Sequence, residues 1–167
     1  MRPSLSFSKG YPNMAKYSIL VLNGPNLGHL GVRQPEVYGS HGMDDVPDLV
    51  ASLLGPAASE VELTFDQKNG EGELIDRLEA AREQGIDGVV LNAGAYTHTS
   101  LALADCLAWI GIPFVEVHIS NVWARQEPLR HTSHIARHAL GIIAGFGIES
   151  YALAVAAVVR RLSQGDV

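Results

Sequence analysis

Ile86-Asp87-Gly88-Val89-Val90-Leu91-Asn92-Ala93-Gly94-Ala95-Tyr96-Thr97-His98-Thr99-Ser100 contains an apolar run, then a polar cluster, then the start of a helical pattern. The run Ile86–Leu91 reads as a buried strand, and Thr99–Trp109 reads as the helix after it. The same transition occurs at two other places. Ile19-Leu20-Val21-Leu22 gives way to Asn23-Gly24-Pro25-Asn26, and Val115-Glu116-Val117 gives way to His118-Ile119-Ser120-Asn121. Continuous apolar strands alternating with helices indicate a parallel sheet covered on both faces. In open sheets of that kind, ligands bind outside the carboxyl ends of the strands. Three polar clusters at three such ends therefore predict one site.

Outward from these runs, strands are also predicted at Tyr17–Leu22, Val61–Phe65, Ile112–Val117 and Leu140–Ala144. A helix opens at Asp44-Asp45 and stops at Gly55-Pro56. Glu71–Gln84 carries Leu74, Ile75, Leu78 and Ala81 on one face and stops at Gly85. Ile148–Leu162 ends in Arg160 and Arg161, which suit a helix C-terminus. Residues 27–42 form a long polar, Gly-rich loop, and residues 121–138 a polar loop with a short helix. Long loops within compact domains are usually functional. Right-handed crossovers leave a five-stranded doubly wound α/β sheet of order 2-1-3-4-5. In that order strands one, three and four are neighbours, so the three clusters meet.

The bulk composition narrows the function. A chain of 167 residues with 47% hydrophobic and 18% charged residues fits one globular domain. Residues 1–15 read as a flexible tail without a signal-peptide core, 16–163 as one catalytic domain, and 164–167 as a short C-terminal tail. Met14, just before the first strand, is a second candidate start. Cytoplasmic location is the default expectation. The net charge of −6 argues against nucleic-acid binding, and no apolar run approaches the ~20 residues of a membrane span. The single cysteine, Cys106, excludes an intrachain disulfide and reads as a small buried hydrophobe.

Several residues have chemistry to offer. A tyrosine normally titrates near ~10, and a neighbouring guanidinium favours the phenolate. Arg33 and Tyr38, both in the first loop, thus form a candidate general base; the alternative is a packed Tyr38 beside a solvated Arg33. Glu116 and His118 lie two apart on one strand and so share a face. A carboxylate can orient an imidazole and favour its protonated form, giving a general acid; a capped loop histidine is the equal alternative. Asn26, Asn92, His98, Ser120 and Asn121 are uncharged groups suited to hydroxyls or to a water held against an oxyanion. Each alone also suits a turn or cap, and Thr99 or Ser100 suits the third helix's N-terminus. Arg130 is a candidate partner for an anion.

Other site types fit poorly. Gly24, Gly28 and Gly31 do not form a dinucleotide fingerprint, no phosphate-loop lysine follows them, and there is no G-x-S-x-G elbow. His131, His134 and His138 are spaced to share a helical face, but no acidic or Cys partner lies near, so no metal is expected. The lysines Lys9, Lys16 and Lys68 fall outside the three main clusters, which disfavours imine chemistry. A flavodoxin-like ligand-binding module and a catalytically silent oligomer are the competing classes.

Five ordered motifs resemble type II 3-dehydroquinate dehydratase. They are Leu22-Asn23-Gly24-Pro25-Asn26-Leu27, the lid run from Gly31 to Gly39, Gly72-Glu73-Leu74-Ile75-Asp76, the run from Gly94 to Ser100, and Glu116-Val117-His118-Ile119-Ser120-Asn121. The resemblance spans about Tyr17 to Leu162. It implies a flavodoxin-like three-layer α/β sandwich that dehydrates 3-dehydroquinate to 3-dehydroshikimate without metal, imine or cofactor. It implies Tyr38 as base aided by Arg33, Asn26 holding a water for the enolate, and His118 as acid. Asn92, His98, Ile119, Ser120 and Arg130 would bind substrate, and Asp105 would be lent to a neighbouring subunit's site. Trimers grouped into a dodecamer are implied too. The chain departs from the pattern at Gly28-His29, at Gly70 and at Trp123. It also carries one extra residue before Arg130, which makes Arg125 the alternative carboxylate ligand.

Overall fold

The computed structural model describes residues 15–28 and 42–165. Within them the strands are β1 (Tyr17–Asn23), β2 (Val61–Gln67), β3 (Gly88–Asn92), β4 (Phe114–His118) and β5 (Gly141–Ala144). The α-helices are α1 (Val46–Leu54), α2 (Glu71–Glu83), α3 (Leu101–Ile110) and α4 (Glu149–Gln164). All strand pairs are parallel and the order is β2-β1-β3-β4-β5, as the alternation predicts. Among the described residues no helix is long and apolar enough to cross a membrane.

Strand alternation sorts the core into two layers. Ile19, Val21, Val90, Val115 and Val117 face α1 and α4. Leu20, Leu22, Val89, Leu91 and Phe114 face α2 and α3, where Leu74, Leu78, Leu103 and Leu107 meet them. These side chains are almost wholly buried, and each such burial is worth about 1.5–3 kcal/mol. Cys106 belongs to the second layer, where burial pushes its thiol up to about 11, so it acts as a hydrophobe.

Local chemistry sets the helix ends. Ser100 Oγ accepts the Leu103 N–H at 2.8 Å and starts α3. Glu73 Oε2 accepts the Gly70 N–H at 2.8 Å and starts α2. Two boundaries differ from the sequence reading in the same way: β3 and β4 each begin two residues later and end one residue later, at Asn92 and His118. The Ile86 N–H is still bonded to Ala81 O of α2, which delays β3. At the other end, backbone pairing outlasts the apolar run and takes in the polar residue.

The short helix predicted within 121–138 is divided and has 3-10 form. Three 3-10 turns, Val122–Ala124, Pro128–His131 and Ala136–His138, stand in its place. Pro128 interrupts the run, while the Asn121 and Ser133 side chains take the N–H groups of Trp123 and Ala136. His131, His134 and His138 therefore do not share a helical face. His131 Nε2 bonds the Arg125 carbonyl, and His138 Nε2 accepts from Arg137.

β1 and β3 stay in contact beyond their last paired residues. The Gly24 N–H donates to Asn92 O at 2.7 Å, and a Cβ on Gly24 would lie 2.6 Å from Ala93 O. The obstacle is backbone and cannot swing away. Gly24→Ala is therefore expected to cost about 1–3 kcal/mol, lowering the thermal midpoint by about 2–4 °C per kcal/mol. Gly72→Ala in α2, with nothing near its would-be Cβ, should instead stabilise by about 0.4–1 kcal/mol. Calorimetry giving both variants the same midpoint would sink this account of Gly24.

Candidate active site

The site begins with an acid inside the protein. Glu116, 1% exposed, lies on the α2/α3 face of β4, and a buried carboxylate is costly unless its oxygens are bonded. Oε1 is 2.7 Å from His118 Nε2, and Oε2 accepts the Ser133 hydroxyl at 2.7 Å. The Ala136 N–H in turn donates to Ser133 Oγ, which leaves the hydroxyl proton for Glu116. An anionic carboxylate can only accept, so His118 carries its shared proton on Nε2 and Nδ1 is its other working nitrogen.

His98 stacks on His118, with ring centroids 5.9 Å apart and planes 15° apart. Its Nδ1 lies 2.6 Å from the Thr132 carbonyl, which fixes the proton on Nδ1 and leaves Nε2 as an acceptor. Burial holds the imidazole below its usual 6.5, with the nearby His118 and Arg130 acting in the same direction. A neutral His98 is thus an acceptor for a hydroxyl.

The first and third strand ends are joined by Tyr151 of α4. Asn23 and Asn92 are register partners on one face of the sheet. The Tyr151 hydroxyl donates to Asn23 Oδ1 at 2.7 Å and accepts from Asn92 Nδ2 at 2.8 Å. Asn26 follows at φ +66°, the left-handed region that Asn tolerates better than most residues. Its N–H donates to Asn69 Oδ1, and Asn69 O accepts the Tyr96 hydroxyl, so one asparagine ties the loops after β1, β2 and β3 together.

The three strand ends open onto a cavity of about 180 Å³. Its lining includes Asn26, Asn92, His98, His118, Ile119 and Ser120, together with both Arg125 and Arg130. Arg125 donates to Ser120 Oγ at 3.0 Å. The volume is below the ~300–1,000 Å³ of sites for drug-sized ligands, so it suits a compact polar metabolite. Asp105 lies on the exposed face of α3, outside this cavity of its own chain. Arg33 and Tyr38 lie outside the described residues. Asn121 caps the Val122–Ala124 turn. Sequence reasoning did not find Ser133, Tyr151 or Asn69, because nothing in their local spacing announces a distant partner.

The family model for class II dehydroquinase matches residues 17–159. The chain belongs to the class II dehydroquinase family. It is 48% identical over 149 residues to a 3-dehydroquinate dehydratase of Janthinobacterium sp. (strain Marseille), covering 89% of this chain and 100% of that one. It is 53% identical over 143 residues to a 3-dehydroquinate dehydratase of Exiguobacterium sp., covering 86% and 94%. Among solved structures, the type II dehydroquinase of Butyrivibrio crossotus DSM 2876 matches with a TM-score of 0.76 and 38% identity, covering 86% of this chain and 97% of that one. The flavodoxin-like order β2-β1-β3-β4-β5 agrees with that likeness. Three of the five dehydroquinase motifs, at Leu22–Leu27, Gly94–Ser100 and Glu116–Asn121, thus fall at strand ends on the cavity; Gly72–Asp76 lies in α2, and the run from Gly31 to Gly39 lies outside the described residues.

His98 links this site to stability. Its folded pKa lies below 6.5, so just under that pH the folded dehydroquinase binds fewer protons than the unfolded chain. Stability therefore rises with pH through that window and is lost on acidification below it. Urea melts between about pH 5 and 7.5 should show this slope, and His98→Gln should flatten it. An unchanged slope in the variant would clear His98 of the effect.

Proposed function

We propose a stepwise general acid/base course for this chain, whose family activity is the dehydration of 3-dehydroquinate in the shikimate pathway. Tyr38, its phenolate favoured by Arg33, removes the C2 proton beside the C3 ketone. The electron pair moves onto the ketone oxygen as an enolate, and a water held by Asn26 stabilises that oxygen. The enolate then collapses, the C1–oxygen bond breaks, and His118 delivers a proton to the departing hydroxyl. Water and 3-dehydroshikimate are the products.

One observation carries the reading: His118, bonded to the buried Glu116 behind it, lines a cavity at the end of β4 that also holds neutral acceptors and two arginines. An acid must be aimed and must reach the leaving group, and Glu116 fixes the ring so that Nδ1 remains for that task. Asn92 and His98 suit the ring hydroxyls. Ser120, with the Ile119 backbone, suits the carboxylate, and Arg130, with Arg125 beside it, supplies positive charge there. A mechanism running through an enolate needs neither a metal nor a cofactor.

The same reading includes assembly as trimers grouped into a dodecamer. Leu101 and Trp109 are 65% and 64% exposed on α3, on the side that carries Asp105. Covering that face against another copy would hide the apolar side chains and bring Asp105 to a neighbour's site. Sedimentation should then show a particle about twelve times the 17.9 kDa chain.

Adding 3-dehydroquinate to the pure protein should produce the conjugated enone, read by ultraviolet absorbance. Tyr38→Phe and His118→Ala should each lower kcat by at least about 10²-fold with the fold retained, and His118→Ala should also lower the thermal midpoint because it leaves Glu116 Oε1 without its partner. Near-wild-type turnover in either variant would remove that residue from its role.

A further inference from the structure

We propose that Tyr151, on helix α4, is a positioning residue for Asn92: by accepting from the amide nitrogen it acts with the Gly94 N–H to hold which end of the Asn92 amide serves the cavity. The inference rests on the dehydratase reading above and adds to it a residue that lines none of the cavity.

The direction of the chain of hydrogen bonds follows from one donor that cannot be reversed. The Gly94 N–H can only donate, and it meets Asn92 Oδ1 at 3.3 Å. Asn92 therefore turns its oxygen to Gly94 and its nitrogen to Tyr151, 2.8 Å away. An amide N–H can only donate, so the Tyr151 oxygen accepts there. Its proton is left for Asn23 Oδ1 at 2.7 Å. Tyr151 is wholly buried, and burial pushes the phenol far above its usual range, so it remains a neutral O–H at any working pH.

Asn92 keeps one amide hydrogen and one oxygen lone pair for a bound molecule. Without a fixed partner at its nitrogen, the amide would be held by the 3.3 Å bond from Gly94 alone, and would turn over more readily and offer a substrate hydroxyl the wrong group. Asn23 takes part only as the acceptor that consumes the Tyr151 proton. The register places it where it must be, since Asn23 and Asn92 pair directly and both face α4. The carboxyl-end edge of the sheet is thus keyed from behind by a helix that does not reach the substrate.

Two variants separate direction from packing. Tyr151→Phe removes the hydroxyl and keeps the ring. Asn23→Leu keeps the hydroxyl and frees its proton to turn towards Asn92. Each should lower kcat/KM for 3-dehydroquinate about tenfold, the effect of one misdirected buried hydrogen bond. In the Asn92→Ala background each should cost less than about twofold, because the group being positioned is gone. In ¹⁵N-labelled protein the Asn92 side-chain NH₂, identified by its loss in Asn92→Ala, should exchange slowly in the wild type and much faster in Tyr151→Phe. Wild-type kcat/KM in both variants, the full loss persisting beside Asn92→Ala, or an unchanged exchange rate would overturn the proposal. A wild-type protein that leaves 3-dehydroquinate untouched would defeat the dehydratase reading instead, and the amide exchange would still decide the role of Tyr151.

Discussion

A carboxylate shut away from water must find a partner for each oxygen, and Glu116 finds them in His118 and Ser133. Losing either would leave a buried charge half satisfied, at a cost that few domains with ordinary stability of about 5–15 kcal/mol tolerate comfortably. The need for pairing therefore constrains much of the site. It draws the segment after residue 121 back over the sheet so that Ser133 can reach β4, and it holds the His118 ring in one tautomer. His98 then stacks on that ring and is bonded to Thr132, one residue before Ser133. A stability requirement and an orientation requirement are met by the same contacts.

The sheet supplies the second half of the arrangement. In a parallel ladder every strand points the same way, so whatever follows β1, β3 and β4 gathers at one edge. Because the ladder runs through Asn23, Asn92 and His118, these side chains are carried by paired backbone and not by loop. A polar group on a strand terminus is held far more rigidly than one on a connection. The neutral state of His98 and the fixed amide of Asn92 give the cavity defined donors and acceptors before any substrate arrives.

Much of this could be read in the chain. The apolar runs indicate the strand order, and among the polar residues that end them Asn26, Asn92, His98, His118 and Ser120 share one cavity. The strand ends were misjudged by one residue because hydropathy marks where the apolar side chains stop, while hydrogen-bonding continues into Asn92 and His118. The segment 121–138 breaks into three short 3-10 turns instead of one helix because its side chains compete for backbone N–H groups, a competition that composition alone does not reveal. Ser133 and Tyr151 were invisible for a different reason. Their partners lie 17 and 59 residues away, and only the folded register brings them together.

The backbone crossing at Gly24 and Ala93 carries a lesson for redesign. Where two main chains touch so closely that not even a methyl group fits between them, amino-acid variety has nowhere to enter. Anyone reshaping this scaffold to accept a different acid would do better to leave that crossing untouched and place randomised codons after β4, around residues 121–131, where exposed side chains on short turns leave room for exchange.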